Sequence, residues 1–334
     1  MGEFEKIADI YRLARQIPSS RAVRLGIGDD CCLLTVPEGE ELALSTDTVV
    51  EEIHFRLSYF DHYQVGAKAM LAALSDLAAM AASPVGALAT VSIKEEKNID
   101  ELARGLIDAG AKYGCPLIGG DLTSSTGPLV VTVTVAGLVK SGSAVLRSTA
   151  RPGDRIWVTG APGDAAAVLA CLEEEMKSEK RGLTLPDESL KKKFYEPVPR
   201  LAEARALIVS GPPTAMIDIS DGLAADLGHI LESSGAGARL FAESFPLSSF
   251  SSQVAIALGF RAEHFFLHGG EDYELLFTVP PGVIEKEVSR LEKETSTTFT
   301  LIGEINEDSG KITIMRPDGS IEPITGSGFD HFTH

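Results

Sequence analysis

Short apolar segments that end in glycine or aspartate recur along this chain, between longer segments in which apolar residues follow a helical period. Residues 116–118 run into Gly119-Gly120-Asp121, and residues 215–217 run into Asp218. Apolar segments of this length, bounded by glycine, are typical of buried strands. Because strands and helices are mixed in both halves, we predict an α+β fold with two α/β-type domains, whose mixed sheets are flanked by helices.

A polar stretch rich in small residues, 140–154, interrupts this pattern and predicts a domain boundary. We therefore assign residues 1–143 to an N-terminal domain and residues 144–334 to a C-terminal domain. The highly charged residues 176–200 are predicted to form an exposed excursion. The pattern predicts strands over residues 41–47, 86–93, 116–118, 129–139, 155–158, 215–217 and 273–279, and helices over residues 4–14, 64–82, 100–113 and 284–294 and from residue 164.

Charge and composition exclude several classes of protein. The net charge of −18 argues against a nucleic-acid-binding protein, which needs a basic surface. No apolar run approaches the about 20 residues of a membrane helix, and the N-terminus lacks the pattern of a signal peptide. The four cysteines contain no Cys-x-x-Cys pair. We expect a cytoplasmic protein that contacts neither membrane nor nucleic acid.

Acidic residues cluster where the predicted strands end, next to glycines or hydroxyl residues. Glycine lets the backbone approach a ligand closely, and carboxylates are the ligands that Mg²⁺ prefers. A single cluster of this kind is more often a turn or a helix cap, and Asp221 in particular fits a cap. Five clusters in one chain favour metal binding. The clustered residues are Asp29, Asp30, Asp47, Asp121, Asp218, Asp221, Glu271 and Asp272.

Asp76 lies in the predicted helix over residues 64–82, among apolar residues. A buried carboxylate without a cation is costly, so we expect Asp76 to meet one. Lys68 is the nearest cation in the sequence, but a spacing of eight residues is too long for a neighbouring pair on one helix. A metal ion bound together with another element is the better explanation.

The ordered set of motifs resembles the thiamine-monophosphate kinase family, and the likeness runs nearly from end to end. The family also ends in a pattern like that of residues 330–332 here. The motifs are Gly26-Ile27-Gly28-Asp29-Asp30, Ser45-Thr46-Asp47-Thr48, Leu74-Ser75-Asp76-Leu77-Ala78-Ala79-Met80, Leu117-Ile118-Gly119-Gly120-Asp121, Asp218-Ile219-Ser220-Asp221-Gly222-Leu223 and Gly269-Gly270-Glu271-Asp272-Tyr273-Glu274-Leu275.

This resemblance implies the fold of aminoimidazole ribonucleotide synthetase and ATP-dependent phosphorylation of thiamine monophosphate to thiamine diphosphate. It implies several Mg²⁺ ions and a homodimer that pairs through the N-terminal domains, which would also bind ATP and metal. The implied Mg²⁺ ligands are Asp30, Ser45, Thr46, Asp47, Asp76, Asp121, Asp218 and Asp221, of which Asp47, Asp121 and Asp218 would be the most sensitive positions for catalysis. The implied ATP contacts are Gly120, Asp121, Arg147 and Ser220. The implied acceptor contacts are His54, Glu271 and Phe329.

The chain departs from the family pattern in three places. Glu52 stands where the family usually has glycine, Thr149 follows Arg147-Ser148 in place of glycine, and Gly326-Ser327-Gly328 replaces Trp-Lys-Gly. For the proposed dimer we expect the alternating Val131, Val133 and Val135 to face the partner. We also expect direct in-line transfer without a protein general base, because a phosphate monoester is mostly dianionic at neutral pH.

Two other functions compete with this one. A selenophosphate synthetase or an ATP-dependent synthetase would share the fold, but the reactive N-terminal cysteine expected of the former, beside a lysine-containing, glycine-rich stretch, is absent. A calcium- or nucleotide-binding protein without activity is the second alternative. The EF-hand spacing does not occur, so calcium sensing has little support.

Overall fold

The computed structural model describes residues 3–14, 16–18, 20–177 and 182–324, and these form two compact units. The first unit contains the residues up to Leu77, together with Ala82–Ala144 and Tyr195–Pro199. The second contains Ala78–Ala81, Val145–Phe194 and the residues from Arg200 onward. Within the described ranges, no helix has the length and apolar character needed to cross a bilayer.

The first unit is built on a four-stranded mixed sheet in the order β3-β6-β4-β5. Its β4 and β5 are parallel, and its other pairs are antiparallel. Edge strands β3 and β5 are therefore separated by two central strands. The elements are α1 (Glu3–Ala14), β1 (Val23–Leu25), β2 (Leu33–Leu34), β3 (Glu40–Val50), α2 (His62–Ala79), β4 (Ser83–Ile93), α3 (Ile99–Lys112), β5 (Leu117–Ser124) and β6 (Val130–Lys140).

The two faces of this sheet differ in what they contact. Val131, Val133 and Val135 are each 0% exposed and lie on the covered face. The alternate residues of the same strand lie on the other face, where Thr132 and Thr134 hydrogen-bond to threonines of β3. The prediction that the three valines face a partner chain was therefore wrong, since they belong to the core of their own unit.

The second unit is built on a seven-stranded sheet in the order β13-β12-β9-β11-β7-β10-β8. All pairs are antiparallel except β9 with β12. The elements are β7 (Arg155–Thr159), α4 (Asp164–Glu175), α5 (Glu188–Tyr195), α6 (Leu201–Ser210), β8 (Ala215–Asp218), α7 (Leu223–Ser234), β9 (Gly237–Phe241), α8 (Ser249–Ala257), α9 (His264–His268), β10 (Leu275–Val279), α10 (Val288–Thr295), β11 (Phe299–Asn306), β12 (Ile312–Met315) and β13 (Ile321–Pro323).

The predicted α+β class with mixed sheets is confirmed. Among the predicted elements, residues 64–82 match α2 and residues 129–139 match β6, each within three residues at either end. The prediction of an exposed excursion over residues 176–200 holds only for its first part, because most of residues 182–193 are exposed whereas residues 194–200 are buried or half-buried. That segment contains α5, whose Phe194 is only 2% exposed, and it leads into the half-buried Arg200.

Arg200 ties three parts of the second unit together. Its guanidinium donates to the Glu274 carboxylate from Nε at 2.7 Å and from Nη2, and to Glu203 from Nη1 at 3.1 Å. Thr159, at the end of β7, also donates to Glu274 at 2.6 Å, and Thr297 donates to Glu203 at 2.6 Å. The two carboxylates are almost fully buried, so their charges depend on this arginine.

We predict that Arg200→Leu lowers the free energy of unfolding by about 3–5 kcal/mol, because it leaves two buried carboxylates without their cation. Denaturant unfolding of both proteins measures this loss. Arg290→Leu is the matched control, since Arg290 also pairs with two glutamates but on the open surface. An equal loss of unfolding free energy in both variants would mean that burial does not increase the contribution of the Arg200 ion pairs.

Candidate active site

One acidic group lies on edge strand β3 of the first unit. The Ser45 hydroxyl donates a hydrogen bond to the Asp76 carboxylate on α2. Asp47 is two residues from Ser45 on the same strand, so its side chain projects from the same face. All three side chains are half-buried, so the predicted burial of Asp76 is only partial. Strand β3 and helix α2 thus bring three predicted ligands together.

Thr46 does not join this group through its side chain. Its hydroxyl shares a 2.8 Å hydrogen bond with the Thr134 hydroxyl on the opposite face of the sheet. A ligand role for Thr46 would therefore have to use its backbone carbonyl. That role remains a prediction.

A second acidic group lies on edge strand β5, at the other side of the sheet. Gly120 has φ +154°, and a Cβ there would clash with the Ala89 carbonyl. Asp121 follows it directly and pairs with Thr90 of β4. The backbone at Gly26 runs beside Ile118, and the exposed Asp30 follows four residues later. Three strand spacings separate Asp121 from Asp47, about 14 Å along the sheet, so one chain does not bring these two together.

In the second unit, the segment from Asp218 to Asp221 connects edge strand β8 to α7. It is held against residues 271–274 by three backbone hydrogen bonds, Glu271 N–H to Ser220 O, Tyr273 N–H to Ile219 O and Ile219 N–H to Glu274 O, of 2.8–2.9 Å. Gly270 has no room for a Cβ next to the Ser220 carbonyl. The structure therefore brings the backbone of Asp218, Ser220, Asp221 and Glu271 together, although their roles as metal ligands, ATP contact and acceptor contact stay predictions.

Asp226, in the first turn of α7, is a residue that the sequence analysis missed. Its Oδ2 accepts the backbone N–H of Ser220 at 3.0 Å and of Asp221 at 3.2 Å, and the residue is 2% exposed. Burial, and then the charges of Asp218 and Asp221, raise the pKa of Asp226 to about 8. Asp221 does not cap α7, whose N-cap is Gly222. The missed signal is the spacing Asp221-x₄-Asp226-x₂-His229, which places ligand atoms of all three residues within 4.8 Å of one another.

Asp272 has a structural role of its own, unlike the other acidic residues of the clusters. Its carboxylate accepts the N–H of Gly163 at 2.6 Å and of Ala165 at 3.3 Å, at the start of α4. Burial raises the pKa of Asp272 well above its usual value, against the effect of these hydrogen bonds. Asp272 thus caps a helix, and its place in a metal-binding cluster is not supported by these contacts.

The remaining predicted contacts lie in different places. The His54 Nδ1 accepts the Val50 N–H at 3.1 Å, so in neutral His54 the proton is on Nε2. Glu52, in the same turn, has φ +67°, which explains why glycine suits this position. The Arg147 carbonyl accepts from Ser234, the last residue of α7, about 16 Å from the start of that helix. Phe329 and residues 330–332 lie outside the described residues.

Comparison with known proteins identifies the family. The family model for the N-terminal domain of AIR synthase related proteins matches residues 28–139 of this chain. The family model for their C-terminal domain matches residues 151–315. The thiamine-monophosphate kinase of Escherichia coli O157:H7 is 39% identical over 99% of this chain and 98% of its own length, and that of Bacillus subtilis is 32% identical over 99% and 100%. The chain belongs to the thiamine-monophosphate kinase family. The resemblance stated from the sequence is confirmed.

Solved structures agree with this assignment. A thiamine-monophosphate kinase from Stenotrophomonas maltophilia superposes with a TM-score of 0.80 at 33% identity, covering 96% of this chain and 98% of that one. AaThiL complexed with AMPPCP and TMP superposes with a TM-score of 0.73 at 28% identity, covering 99% and 97%. A hydrogenase maturation protein, HypE, in complex with ATP shares the fold at 17% identity, with a TM-score of 0.78 and coverage of 97% and 94%. The predicted relation to this fold group is confirmed.

Glu271 has φ +64°, a conformation that is costly for a residue with a Cβ. We predict that Glu271→Gly raises the free energy of unfolding by up to ~1 kcal/mol, the relief of strain less the extra entropy of glycine in the unfolded chain. The same variant should lower activity, because the carboxylate is lost. Denaturant unfolding and steady-state kinetics measure the two effects. A variant that is both less stable and fully active would contradict this prediction.

Proposed function

We propose that this chain transfers the γ-phosphoryl group of ATP to thiamine monophosphate, giving thiamine diphosphate and ADP. The observation that carries the proposal is the likeness over 99% of the chain to thiamine-monophosphate kinases. The acidic groups found within each unit, Ser45 with Asp76 and the segment from Asp218 to Asp221, support it. A structural relative at 28% identity was solved with AMPPCP and TMP. A cytosolic location is part of the proposal, since ATP is the co-substrate.

The donor set fits Mg²⁺, which takes oxygen ligands and keeps several of its waters. The proposed ligands are carboxylates, the Ser45 hydroxyl and the Thr46 backbone carbonyl. The hydrogen bond between Ser45 and Asp76 and the shared loop of Asp218 and Asp221 support two of these groups. When bound, Mg²⁺ would neutralise phosphate charge and orient the reacting oxygens. The proposed ligands are Asp30, Ser45, Thr46, Asp47, Asp76, Asp121, Asp218 and Asp221.

Backbone amides give a second reason to expect cations at this site. The starts of helices often bind phosphate through free N–H groups. Next to α7, however, the N–H groups of Ser220 and Asp221 donate to Asp226, and at α4 those of Gly163 and Ala165 donate to Asp272. These four amides are engaged by protein carboxylates. Phosphate at either loop would therefore meet acidic side chains, which favours metal-mediated binding.

A cavity of about 120 Å³ in the first unit suits the nucleotide base. Its walls are apolar side chains of α1, α3 and β4, including Ile10, Leu102 and Val91, and Gly120 and Asp121 line it as well. Apolar walls with few polar groups are typical of ligand pockets. We propose that the base enters this cavity and that the phosphates lie towards Asp121. The roles of Ser220 and Arg147 as ATP contacts stay predictions from the family resemblance.

The acceptor would be held by His54, Glu271 and Phe329. In the reaction, an oxygen of the acceptor phosphate forms a bond to the γ-phosphorus of ATP as the bond to the bridging oxygen breaks and ADP leaves. The second pKa of a phosphate monoester is near ~6, so no proton has to be removed before the attack. The protein therefore has to align two anions, and this chain's residues contribute to binding and orientation rather than to base catalysis.

The direct test is incubation of the purified protein with ATP, Mg²⁺ and thiamine monophosphate, with detection of ADP and thiamine diphosphate. We expect one ADP per thiamine diphosphate formed. Removal of Mg²⁺ by a chelator should abolish turnover, and added excess Mg²⁺ should restore it. Turnover with a different phosphorylated acceptor, and none with thiamine monophosphate, would refute the proposal.

His54 and Phe329 should act on the acceptor side. An aromatic ring attracts a cationic heterocycle such as thiazolium by ~0.5–2 kcal/mol. Phe329→Ala should therefore raise the KM for thiamine monophosphate more than the KM for ATP. His54→Asn should weaken binding and leave the pH dependence of kcat unchanged. Loss of a pKa from the kcat profile of His54→Asn would instead make this histidine a base.

A homodimer that pairs through the N-terminal domains is part of the proposal. The open face of the four-stranded sheet exposes Leu42, Leu44 and Leu88, at 37%, 64% and 37%. Asp47 and Asp121 lie on opposite edges of that sheet. In a two-fold dimer, the β3 edge of one chain can approach the β5 edge of the other, so that a partner completes the ligand set.

Mixing inactive variants tests this arrangement. Asp47→Asn and Asp121→Asn should each lose on the order of 10²-fold in turnover, the scale of a lost transition-state contact. If sites are shared, co-refolding the two variants should restore about one quarter of parental activity, since half of the dimers would carry one intact site in two. Co-refolding Asp47→Asn alone is the control. A monomer by light scattering, or no recovery in confirmed mixed dimers, would contradict the shared site.

A further inference from the structure

We propose that Asp226 is a positioning residue, which holds the backbone of Ser220 and Asp221 so that the side chains of Asp218, Ser220 and Asp221 face one bound cation. This inference rests on the proposed function, because it assumes a metal at that loop. It assigns a role to a residue that lies outside the motif from Asp218 to Leu223. All the contacts that carry it lie within the second unit.

Two hydrogen bonds to Asp226 restrict the backbone of the loop from Asp218 to Asp221. A single carboxylate oxygen, Asp226 Oδ2, accepts both the Ser220 N–H and the Asp221 N–H. Asp226 is itself fixed in the first turn of α7, where its own N–H donates to the Gly222 carbonyl at 3.0 Å. The loop is therefore pinned to the helix that follows it at two consecutive peptide groups. Without these bonds, each of the two peptide planes would be held only through its carbonyl.

The other side of the loop is fixed by residues 271–274, through the three backbone bonds described above. These bonds use the N–H of Ile219 and the carbonyls of Ile219 and Ser220. The bonds to Asp226 use the N–H groups of Ser220 and Asp221. Together they engage the N–H groups of Ile219, Ser220 and Asp221 in bonds to other parts of the second unit. This arrangement suits a cation and not a phosphate.

Burial separates positioning from direct ligation. Asp226 is 2% exposed, whereas Asp221 is half-buried and His229 is exposed. The oxygen that accepts the two amides is already engaged in two hydrogen bonds. Groups that orient metal ligands typically change metal affinity by about 10–100-fold when they are removed. Direct ligation by Asp226 with Asp221 and His229 is the competing possibility, and it is separable by experiment.

The experiment compares four variants by two readouts that do not depend on turnover. Hydrogen exchange of the amides of Ser220 and Asp221 is measured by mass spectrometry in metal-free protein. Binding of Mn²⁺ is measured by electron paramagnetic resonance in the presence of a non-hydrolysable ATP analogue. The variants are Asp226→Ala, Asp226→Asn, Asp164→Ala and His229→Ala. Asp164 is the matched control, because it is also a buried aspartate in the first turn of a helix of the second unit, bonded to Ser248.

We expect Asp226→Ala to speed exchange of the two amides about ten-fold or more and to weaken Mn²⁺ binding by at least about ten-fold. Asp226→Asn should stay within about three-fold of the parent in both readouts, since one amide oxygen can accept both bonds. Asp164→Ala should lower stability and change neither readout. If Asp226→Ala does not fold, Asp226→Ser, whose hydroxyl is too short to reach both amides, should give the same two changes.

Three results would overturn the inference. Asp226→Ala with parental exchange and parental Mn²⁺ affinity would leave this residue with a purely structural role. His229→Ala with a loss of affinity as large as that of Asp226→Ala would make the two residues direct ligands. A parent protein that binds no Mn²⁺ would refute the proposed metal site as well, while faster amide exchange in metal-free Asp226→Ala would still show that Asp226 fixes the loop.

Discussion

Two aspartate carboxylates, each bonded to two backbone amides, determine what the loops of the second unit can bind. Asp226 accepts hydrogen bonds from the backbone N–H groups of Ser220 and Asp221. Asp272 accepts them from those of Gly163 and Ala165. Both carboxylates stand where an anionic ligand would otherwise sit at the start of a helix. A chain with a net charge of −18 that fills these positions itself cannot hold a second anion there without cations. The hydrogen bonds that Asp226 and Asp272 accept from these amides therefore support the expected need for Mg²⁺.

The loop that contains Glu271 and Tyr273 has a strained backbone, and contacts with neighbouring residues stabilise this conformation. Glu271 and Tyr273 have φ of +64° and +52°, and a bulky residue seldom adopts such a value. The strain persists because three backbone bonds join these residues to the segment from Ile219 to Ser220. One residue further on, Glu274 is fixed by Arg200 and Thr159. The buried ion pair therefore stabilises the strained segment from its far end, which links the stability of the fold to the geometry of the site.

The sequence allowed most of the elements to be predicted, because apolar periodicity and the glycines that bound apolar segments are local signals. The sequence also suggested strand ends at Asp47 and Asp121, but both residues lie inside longer strands, β3 and β5, whereas Asp218 does end β8. It did not show which face of a strand is covered. For β6 the alternation was read correctly, but Val131, Val133 and Val135 were assigned to the wrong environment, since burial depends on helices distant in the sequence. Asp272 was grouped with possible ligands because the partner that it caps, α4, begins more than a hundred residues earlier. Arg200 was placed in an exposed segment because charge usually indicates surface, and its two carboxylate partners come from α6 and the loop before β10.

Strand order was the feature least accessible from the sequence, and it has the largest consequence for function. The motifs around Asp47 and Asp121 look like parts of one ligand set, yet the order β3-β6-β4-β5 puts them on opposite edges of a sheet. An edge strand presents unpaired backbone groups, which a protein must cover, pair or protect. Here the edges carry catalytic candidates, and the face between them exposes leucines and threonines. A single chain with this topology has two half-sets of proposed ligands about 14 Å apart. Pairing two chains through this sheet would cover the exposed face and bring the half-sets together, so assembly and catalysis would depend on the same surface.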